Sequence, residues 1–259
     1  MNRIKEDRHM GTVFRVATKD KRPKSHLPVA ILIDKSLSTG NIRGIMETCA
    51  RELLQRLKAE LTFKGIVEVL IVFFSDTYQE ADFTPLDNID PAKFVVPESE
   101  GTTNTGKALL YALGQFKERK IVWQQAGEDY FQPLMFLLTD GKPTAGELQN
   151  PKYAEAHAKA EKEVKEAYAE AAREIRAWED GRKLIFIAAG VQRRDGESAD
   201  MDSLHELSEH DDHIFSVTDG EGLDGVQRFF NEIYTMTQLV YKRTPLSELL
   251  KDALDNPLG

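Results

Sequence analysis

The chain has 259 residues, 41% of them hydrophobic and 30% charged, with 43 acidic and 34 basic residues and a net charge of −9. A chain of this length can bury enough apolar surface to fold without disulfides or structural zinc, and its single cysteine, Cys49, can form neither a disulfide within the chain nor a cysteine metal cage. The acidic balance excludes a general nucleic-acid binder, and no run of eighteen apolar residues or signal-peptide pattern occurs. The sequence therefore predicts a soluble, cytoplasmic protein that binds neither nucleic acid nor membrane.

Charge divides the chain unevenly. Residues 1–26 carry a net charge of +5, which leaves −14 on residues 27–259. We therefore predict a separate basic N-terminal arm over residues 1–26, with a strand at 12–17. The arm is either a solvated tail or a docking segment for an acidic surface. Residues 27–240 are predicted to form one domain, and residues 241–259 a C-terminal helical extension with a helix at 245–255.

From residue 27 onward, short apolar runs alternate with longer segments of helical periodicity, a pattern typical of strands that cross over through helices into a parallel sheet. The predicted strands are 28–34, 66–75, 134–139, 184–189 and 213–217, with an antiparallel edge strand at 78–83. The predicted helices are 41–62, 105–119, 151–180, 201–208 and 223–239. Because the main strands are apolar on both faces, we predict a doubly wound α/β fold with helices on both sides of the sheet.

The helix at 151–180 is unusually long. Its apolar positions recur every three or four residues from Tyr153 to Trp178, which predicts an amphipathic helix. Two interpretations stay open. The helix either covers one face of the sheet with a solvated end, or presents a projecting part to a partner.

Three polar segments begin where a predicted strand ends or a helix starts. They are Asp34-Lys35-Ser36-Leu37-Ser38, the Gly101–Gly106 segment GTTNTG, and Thr139-Asp140-Gly141. Ligands of open α/β sheets bind at the carboxyl ends of the strands. The segments offer two carboxylates and several hydroxyls but no histidine or thiol, and such oxygen donors suit Mg²⁺.

Together these segments resemble the metal-ion-dependent adhesion site (MIDAS) of von Willebrand factor A domains, in the same order along the chain. The resemblance implies that the metal ligands are Asp34, Ser36, Ser38, Thr103 and Asp140. Thr103 is chosen over its neighbours Thr102 and Thr105 because it is the first threonine of a T-x-T pattern. The family further implies a six-stranded sheet in the order 3-2-1-4-5-6. It also implies a Mg²⁺ ion, with Mn²⁺ or Ca²⁺ as alternatives, that accepts a Glu or Asp carboxylate from a protein partner without catalysis.

The sequence departs from the common D-G-S-G-S form of this site at Lys35 and Leu37. We expect Lys35 to add a cation beside the metal, where it would weaken Mg²⁺ binding or attract an acidic partner, and we expect Lys142 on the same rim. Leu37 adds bulk to a loop usually built from glycine. The alternative role for Asp34 and Asp140 is helix capping, which Asp performs readily at strand-to-helix turns.

Two enzymatic alternatives are weaker. Residues 101–108 read GTTNTGKA and satisfy the P-loop pattern except at Ala108, where Ser or Thr is needed to bind Mg²⁺. A phosphotransferase that used Asp34 as nucleophile would lack the second acid of a D-x-D motif. The histidines show no metal or triad spacing, and the polar cluster at 205–213 is interpreted as a helix end and a turn. We therefore predict a protein that is not an enzyme.

Among von Willebrand factor A domains, the chain most resembles the intracellular bacterial TerY-type proteins, which are associated with tellurite resistance and stress. This resemblance implies a regulatory adaptor that works beside a protein kinase and a phosphatase. The alternative is a subunit that recruits clients to an AAA+ ATPase or another large machine.

Overall fold

The computed structural model describes residues 25–141, 143–146, 150–192, 196–217 and 222–242, without the side chains of residues 222 and 223. The predicted arm strand at 12–17, Lys142 and the predicted C-terminal helix at 245–255 lie outside the described residues.

The described residues form one sheet of seven strands. The strands are β1 (Ser25–Asp34), β2 (Val67–Phe74), β3 (Thr84–Pro85), β4 (Asp129–Tyr130), β5 (Leu134–Thr139), β6 (Ile185–Val191) and β7 (Ile214–Val217). Their order is β3-β2-β1-β5-β6-β7, and the two-residue β4 pairs with the first residues of β1. All strand pairings are parallel except that of β3 with β2. Apart from β4, which the sequence did not predict, the predicted strand order is confirmed.

Five α-helices cover the two faces of the sheet in the described residues. They are α1 (Arg43–Ala59), α2 (Thr105–Ala126), α3 (Ala154–Asp180), α4 (Met201–His205) and α5 (Gly222–Lys242). Side chains alternate between faces along β1: Ile31 packs with α1 and α5, whereas Leu32 packs with α2, α3 and α4. This alternation explains why the strands read as continuous apolar runs, because both faces of each central strand are buried.

Strand register brings the carboxyl ends of the central strands to one edge. Asp34 at the end of β1 pairs with Phe74 at the end of β2, and Ile33 pairs with Leu138 of β5. The loops that follow these strands therefore leave the sheet side by side. We call this the carboxyl edge, and the opposite one the amino edge.

A buried ionic cluster occupies the amino edge. His26, which is 2% exposed, places its ring Nδ1 2.7 Å from Glu68 Oε1 and its Nε2 2.7 Å from Glu128 Oε2. Arg119 Nε donates to Glu68 Oε2 at 2.7 Å, and the His26 ring stacks on Trp123 with centroids 4.7 Å apart. This cluster joins β1, β2 and the end of α2.

The predicted edge strand at 78–83 is wrong in position. Antiparallel pairing with β2 occurs at Thr84–Pro85, and only an isolated bridge joins Phe74 to Tyr78. The Tyr111 hydroxyl accepts a hydrogen bond from the Ala81 N–H at 2.8 Å and donates to the Ala81 carbonyl at 2.6 Å. A helix side chain thus satisfies the backbone groups that a ladder would have used.

Helix bounds differ from the predictions mainly at the ends. The segment before α1 is a 3-10 turn, Leu37–Ile42, and α2 runs seven residues past the predicted end at Arg119. Along α3 the buried positions start at Val164, whereas Tyr153 is 59% exposed. The first turns of α3 therefore lie outside the core, and their role as a contact surface stays a prediction.

Candidate metal centre

Backbone hydrogen bonds join the three polar segments at the carboxyl edge. The Glu100 N–H donates to the Lys35 carbonyl at 2.9 Å, and the Asn104 N–H donates to the Ser75 carbonyl at 2.7 Å. Thr103 and Thr144 exchange two bonds in an isolated antiparallel bridge, Thr103 N–H to Thr144 O at 3.3 Å and Thr144 N–H to Thr103 O at 2.9 Å. The segment with Thr103 is thus attached to the loops that follow β1, β2 and β5.

Asp34 is fully buried at the centre of this arrangement. Its Oδ1 accepts the Ser36 N–H at 2.8 Å, and its Oδ2 accepts the Thr139 hydroxyl at 2.6 Å. Burial and the neighbouring Asp140 carboxylate raise the pKa of Asp34 from 3.8 to about 7, against the lowering effect of the bonds from Thr139 and Ser36. Two carboxylates held this close in the interior favour a positive charge between them.

The serine hydroxyls of the first segment lie next to each other. Ser36 Oγ is 3.0 Å from Ser38 Oγ, and Ser36 is buried. The Thr39 hydroxyl donates to the carbonyls of both Asp34 and Ser36, at 3.0 Å each. Thr39 therefore holds the loop in a tight turn that directs two serines to one place.

The threonines at the start of α2 differ in their surroundings. Thr103 is 2% exposed and Thr105 is fully buried, whereas Thr102 is partly exposed. The Thr105 hydroxyl has no hydrogen-bond partner within the described part of the chain. Asn104 caps the helix by accepting the Lys107 N–H at 3.3 Å. The choice of Thr103 as the ligand among these three stays a prediction.

Asp140 follows β5 and is 2% exposed. Its carbonyl accepts the Asp200 N–H at 2.7 Å, which fixes the loop against the start of α4. Gly141 has φ of 82°, and a Cβ there would lie 2.4 Å from the Asp200 carbonyl oxygen. Glycine is required at this position because it alone tolerates both the left-handed backbone and the close approach.

The residues present fit a divalent cation that prefers oxygen ligands. The buried Asp34 carboxylate accepts hydrogen bonds from a backbone amide and a hydroxyl. Besides burial, the charge of another carboxylate, that of Asp140, raises its pKa. Within the described residues, no group of three or more His, Cys, Asp or Glu side chains is placed to hold a metal. The predicted donors are two carboxylates with hydroxyls, and such oxygen ligands are the kind that Mg²⁺ prefers.

The expectation that Lys35 attracts an acidic partner is wrong, whereas its effect on Mg²⁺ binding stays a prediction. Its side chain is 3% exposed and its Nζ pairs with Glu100 Oε1 at 2.5 Å. The Lys35 charge is therefore neutralised by Glu100 and does not face a partner. Together with the Glu100 N–H bond to the Lys35 carbonyl, the pair links the first segment to the loop that leads to Thr103.

Two residues of the site have roles that sequence reasoning missed. Thr139 donates to Asp34 and accepts the Gly141 N–H at 3.2 Å, so it connects the two acidic loops. Thr39 forms the turn after Asp34. The only sequence signal for either was a hydroxyl residue next to a proposed ligand, which is too common to assign a function.

The remaining polar motifs have structural explanations. Residues 94–100, which precede the P-loop-like segment, are neither helix nor strand, whereas a P-loop follows a strand directly. His213 belongs to a buried structural cluster in which Glu179 accepts bonds from the His213 ring at 3.1 Å and the Ser208 hydroxyl at 2.7 Å. Cys49 is 2% exposed on α1, and burial followed by the charge of Glu52 raises the pKa of its thiol to about 11.

A mainly parallel sheet with helices on both faces and an oxygen-rich group of side chains at its carboxyl edge defines an α/β domain of the Rossmann-like class. The sequence matches the family described as von Willebrand factor type A domain over residues 29–229. The chain belongs to the von Willebrand factor type A domain family. A comparison with curated protein sequences returns no match.

Solved structures with this fold include three that illustrate its range. The pilus adhesin SpaC of Lactobacillus rhamnosus GG superposes with a TM-score of 0.59 at 15% identity, over 85% of this chain and 30% of that one. The PilB minor pilin of Streptococcus sanguinis superposes with a TM-score of 0.53 at 14% identity, over 86% of this chain and 64% of that one. Proximal thread matrix protein 1 of the mussel byssus, with a zinc-occupied MIDAS motif, superposes with a TM-score of 0.51 at 17% identity, over 82% of this chain and 45% of that one.

Because the sequence identities are this low, the structural similarity shows a shared fold and nothing further. The chain spans less than two thirds of the length of each of these three proteins. Among the described helices, none combines the length and apolar character that crossing a membrane would need.

Proposed function

We propose that this chain is a non-enzymatic protein-interaction module that binds an acidic residue of a partner through a divalent cation held at the carboxyl edge. The observation that carries the proposal is the fully buried Asp34 carboxylate beside Asp140, surrounded by the hydroxyls of the same edge. Family membership supports it, as does the metal-occupied MIDAS of the mussel protein that shares the fold.

In this proposal Asp34 and Asp140 balance the charge of the ion, and Ser36, Ser38 and Thr103 supply neutral oxygens. Mg²⁺ is the expected ion, with Mn²⁺ or Ca²⁺ as alternatives. The bound cation supplies an electrophilic position that a carboxylate from outside can occupy. Thr139 keeps the Asp34 carboxylate oriented, and Thr39 keeps the serine loop closed. No described residue is assigned to a bond-making step.

The role that fits this module best is a cytoplasmic adaptor in a bacterial stress-response or regulatory system, beside a protein kinase and a phosphatase. The support is the sequence resemblance to TerY-type proteins. The alternative, recruitment of clients to an AAA+ ATPase, has no observation in its favour. Identification of the genes that flank this one tests the assignment, because kinase and phosphatase genes support it and an AAA+ ATPase gene contradicts it.

Thermal unfolding with and without Mg²⁺ tests the metal site. We expect Mg²⁺ to stabilise the wild type by about 2.7 kcal/mol at a hundredfold excess over Kd. The variants Asp34→Ala and Asp140→Ala should lose this response, because each lacks a charge that the cation needs. Asp212→Ala, which removes an exposed acid at the amino edge, is the matched control and should respond like the wild type. Equal responses in all four proteins would contradict the assignment.

A turnover assay tests the non-enzymatic part of the proposal. The purified chain is incubated with ATP and with generic phosphatase substrates in the presence of Mg²⁺. We expect no product above the background of the Asp34→Ala variant. Turnover that disappears in Asp34→Ala would make the chain an enzyme.

A further inference from the structure

Leu37 is an exposed apolar side chain in the middle of the proposed metal loop. It is 55% exposed, although the serines on either side of it are buried or half-buried. The side chain takes no part in either apolar core cluster. Its N–H donates to the Gly101 carbonyl at 3.5 Å, so it lies where the first segment meets the loop before Thr103.

Exposed acids lie on the loops that meet at Leu37 and Gly101. Glu98 and Glu100 are exposed on the loop that ends at Gly101, and a Cβ at Gly101 would lie 2.4 Å from Asp76 Oδ1, so Asp76 is adjacent as well. Glu100 is already paired with Lys35, so we call the other two acids, Asp76 and Glu98, the acidic rim.

Little positive charge offsets this rim among the described residues of the edge. The buried Lys35 forms an ion pair with Glu100, and Lys107 is an exposed cation on the first turn of α2. Asp34 and Asp140 together balance a bound divalent cation, so the metal itself leaves the rim uncompensated. A partner surface that carried only acidic residues would be repelled before its carboxylate reached the metal.

We propose that the partner presents its metal-binding Asp or Glu between an apolar side chain, which packs on Leu37, and basic residues, which face the acidic rim. This inference rests on the proposed function, because it describes the chemistry that surrounds the metal-bound carboxylate. Leu37 then determines specificity through apolar contact, and the rim does so through charge. The contact with the rim is exposed to solvent, so its contribution falls as salt rises.

A peptide selection tests the proposal with the full chain. A displayed library with a fixed central Asp or Glu and random flanks is bound in the presence of Mg²⁺ and eluted with EDTA. The eluted pool should be enriched in Lys and Arg in the flanks and in an apolar residue close to the fixed acid. Peptides from this pool should lose about fivefold to tenfold in affinity on Leu37→Ser, the effect of removing one partly buried leucine contact.

Matched variants separate the two contacts. Leu61→Ser removes a leucine that is 82% exposed at the amino edge and should leave affinity unchanged. Glu98→Lys should reverse the preference for basic flanks and weaken the salt dependence, whereas Glu170→Lys, at an exposed position on α3, should do neither.

The outcomes distinguish the two levels of the proposal. If wild type yields no EDTA-eluted pool, or one that Asp34→Ala also yields, the proposed function fails and the partner chemistry fails with it. If the pool depends on Asp34 but its flanks are neither basic nor apolar, the metal-dependent function stands and the Leu37 and rim contacts are overturned. Equal loss of affinity in Leu37→Ser and Leu61→Ser would also overturn them.

Discussion

At the scale of single residues, Asp34 occupies a position that is unfavourable for an ionised carboxylate. A fully buried carboxylate next to a second one is unfavourable in the metal-free protein, because burial and mutual repulsion both oppose ionisation. The bonds from Ser36 and Thr139 offset part of this cost. In the proposed function a bound cation would offset the rest of this cost, so binding of the ion would stabilise the fold.

Asp34→Asn should therefore stabilise the metal-free chain and abolish the response to Mg²⁺. The pKa of Asp34 in the folded chain, about 7, lies above its ordinary value of 3.8. The wild type therefore has its full stability from this group below about pH 4, where the carboxyl is protonated, and loses it as the pH rises through about 7. In EDTA, the excess stability of the Asp34→Asn variant over the wild type should grow by at most about 1.4 kcal/mol per pH unit across this window.

Urea unfolding of both proteins in EDTA between pH 5 and about pH 8 measures this difference. Comparison of the two proteins cancels the titration of all other groups. A difference that stays constant or shrinks with rising pH would show that Asp34 is not held in an unfavourable ionised state.

At the scale of elements, the start of α2 is fixed by its contact with α3. A Cβ at Gly106 would lie 2.3 Å from the Tyr168 backbone nitrogen and 2.7 Å from the Ala167 carbonyl oxygen. The two helices thus approach so closely at this point that only glycine fits between them. Because Gly106 follows the T-x-T segment directly, the same contact sets the position of Thr103.

Gly106→Ala should destabilise the chain and weaken Mg²⁺ binding together, because α2 must move away from backbone atoms that cannot yield. We expect a loss of about 3 kcal/mol in the free energy of unfolding. Gly114→Ala on the same helix has nothing within 4 Å of the new Cβ and should stabilise by up to about 1 kcal/mol. Urea unfolding and Mg²⁺ titration of both variants check this, and similar values for the two would contradict it.

The sequence predicted the elements best where burial alone decides them. The strand at 134–139 matches β5 at both ends, because a short run that is apolar on both faces forms a central strand buried on both sides. The edge strand was misplaced because the backbone of Ala81 is satisfied by Tyr111, 30 residues away. The end of α2 was missed because exposed Ile121 and Val122 break the apolar period, although Gly127, with φ of 67°, marks the true C-terminus.

The candidate site was likewise predicted only in part. Strand ends and residue types predicted which loops meet, since parallel strands bring their carboxyl ends together. Nothing in the sequence predicted that Lys35 would fold back to Glu100, because that choice depends on a loop 65 residues further along. The supporting hydroxyls of Thr39 and Thr139 were missed for the same reason: their partners are set by the packed loops.

At the scale of the whole molecule, the two edges of the sheet carry different kinds of charged group. The amino edge holds the cluster of His26, Glu68, Arg119 and Glu128, in which Arg119 pairs with Glu68 and the His26 ring contacts both carboxylates. The carboxyl edge holds Asp34 and Asp140, which repel each other. His26 and Asp34 are eight residue steps apart along β1, which separates the two edges by about 26 Å.

Glu68→Gln should destabilise the chain without changing its affinity for Mg²⁺. The glutamate is 4% exposed and binds both His26 and Arg119, so its neutralisation leaves the Arg119 guanidinium without a full counter-charge and weakens the contact with His26. We expect a loss of about 2 to 4 kcal/mol. In a double variant with Asp34→Asn, the two stability changes should add within about 0.5 kcal/mol, since the sites are remote. Urea unfolding and Mg²⁺ titration check both points, and a clear departure from additivity would reveal coupling across the sheet.

The pairing of β1 with β5 has a consequence for quality control in the cell. Asp34 ends β1 and Asp140 follows β5, and these two strands become neighbours only after the chain has formed a contact between residues more than a hundred positions apart. A newly made or damaged chain with local helices but no such pairing would lack the proposed metal site and with it the proposed place for a partner. Under the proposed function, a partner would therefore bind only molecules whose sheet is complete, so binding would report that folding has finished.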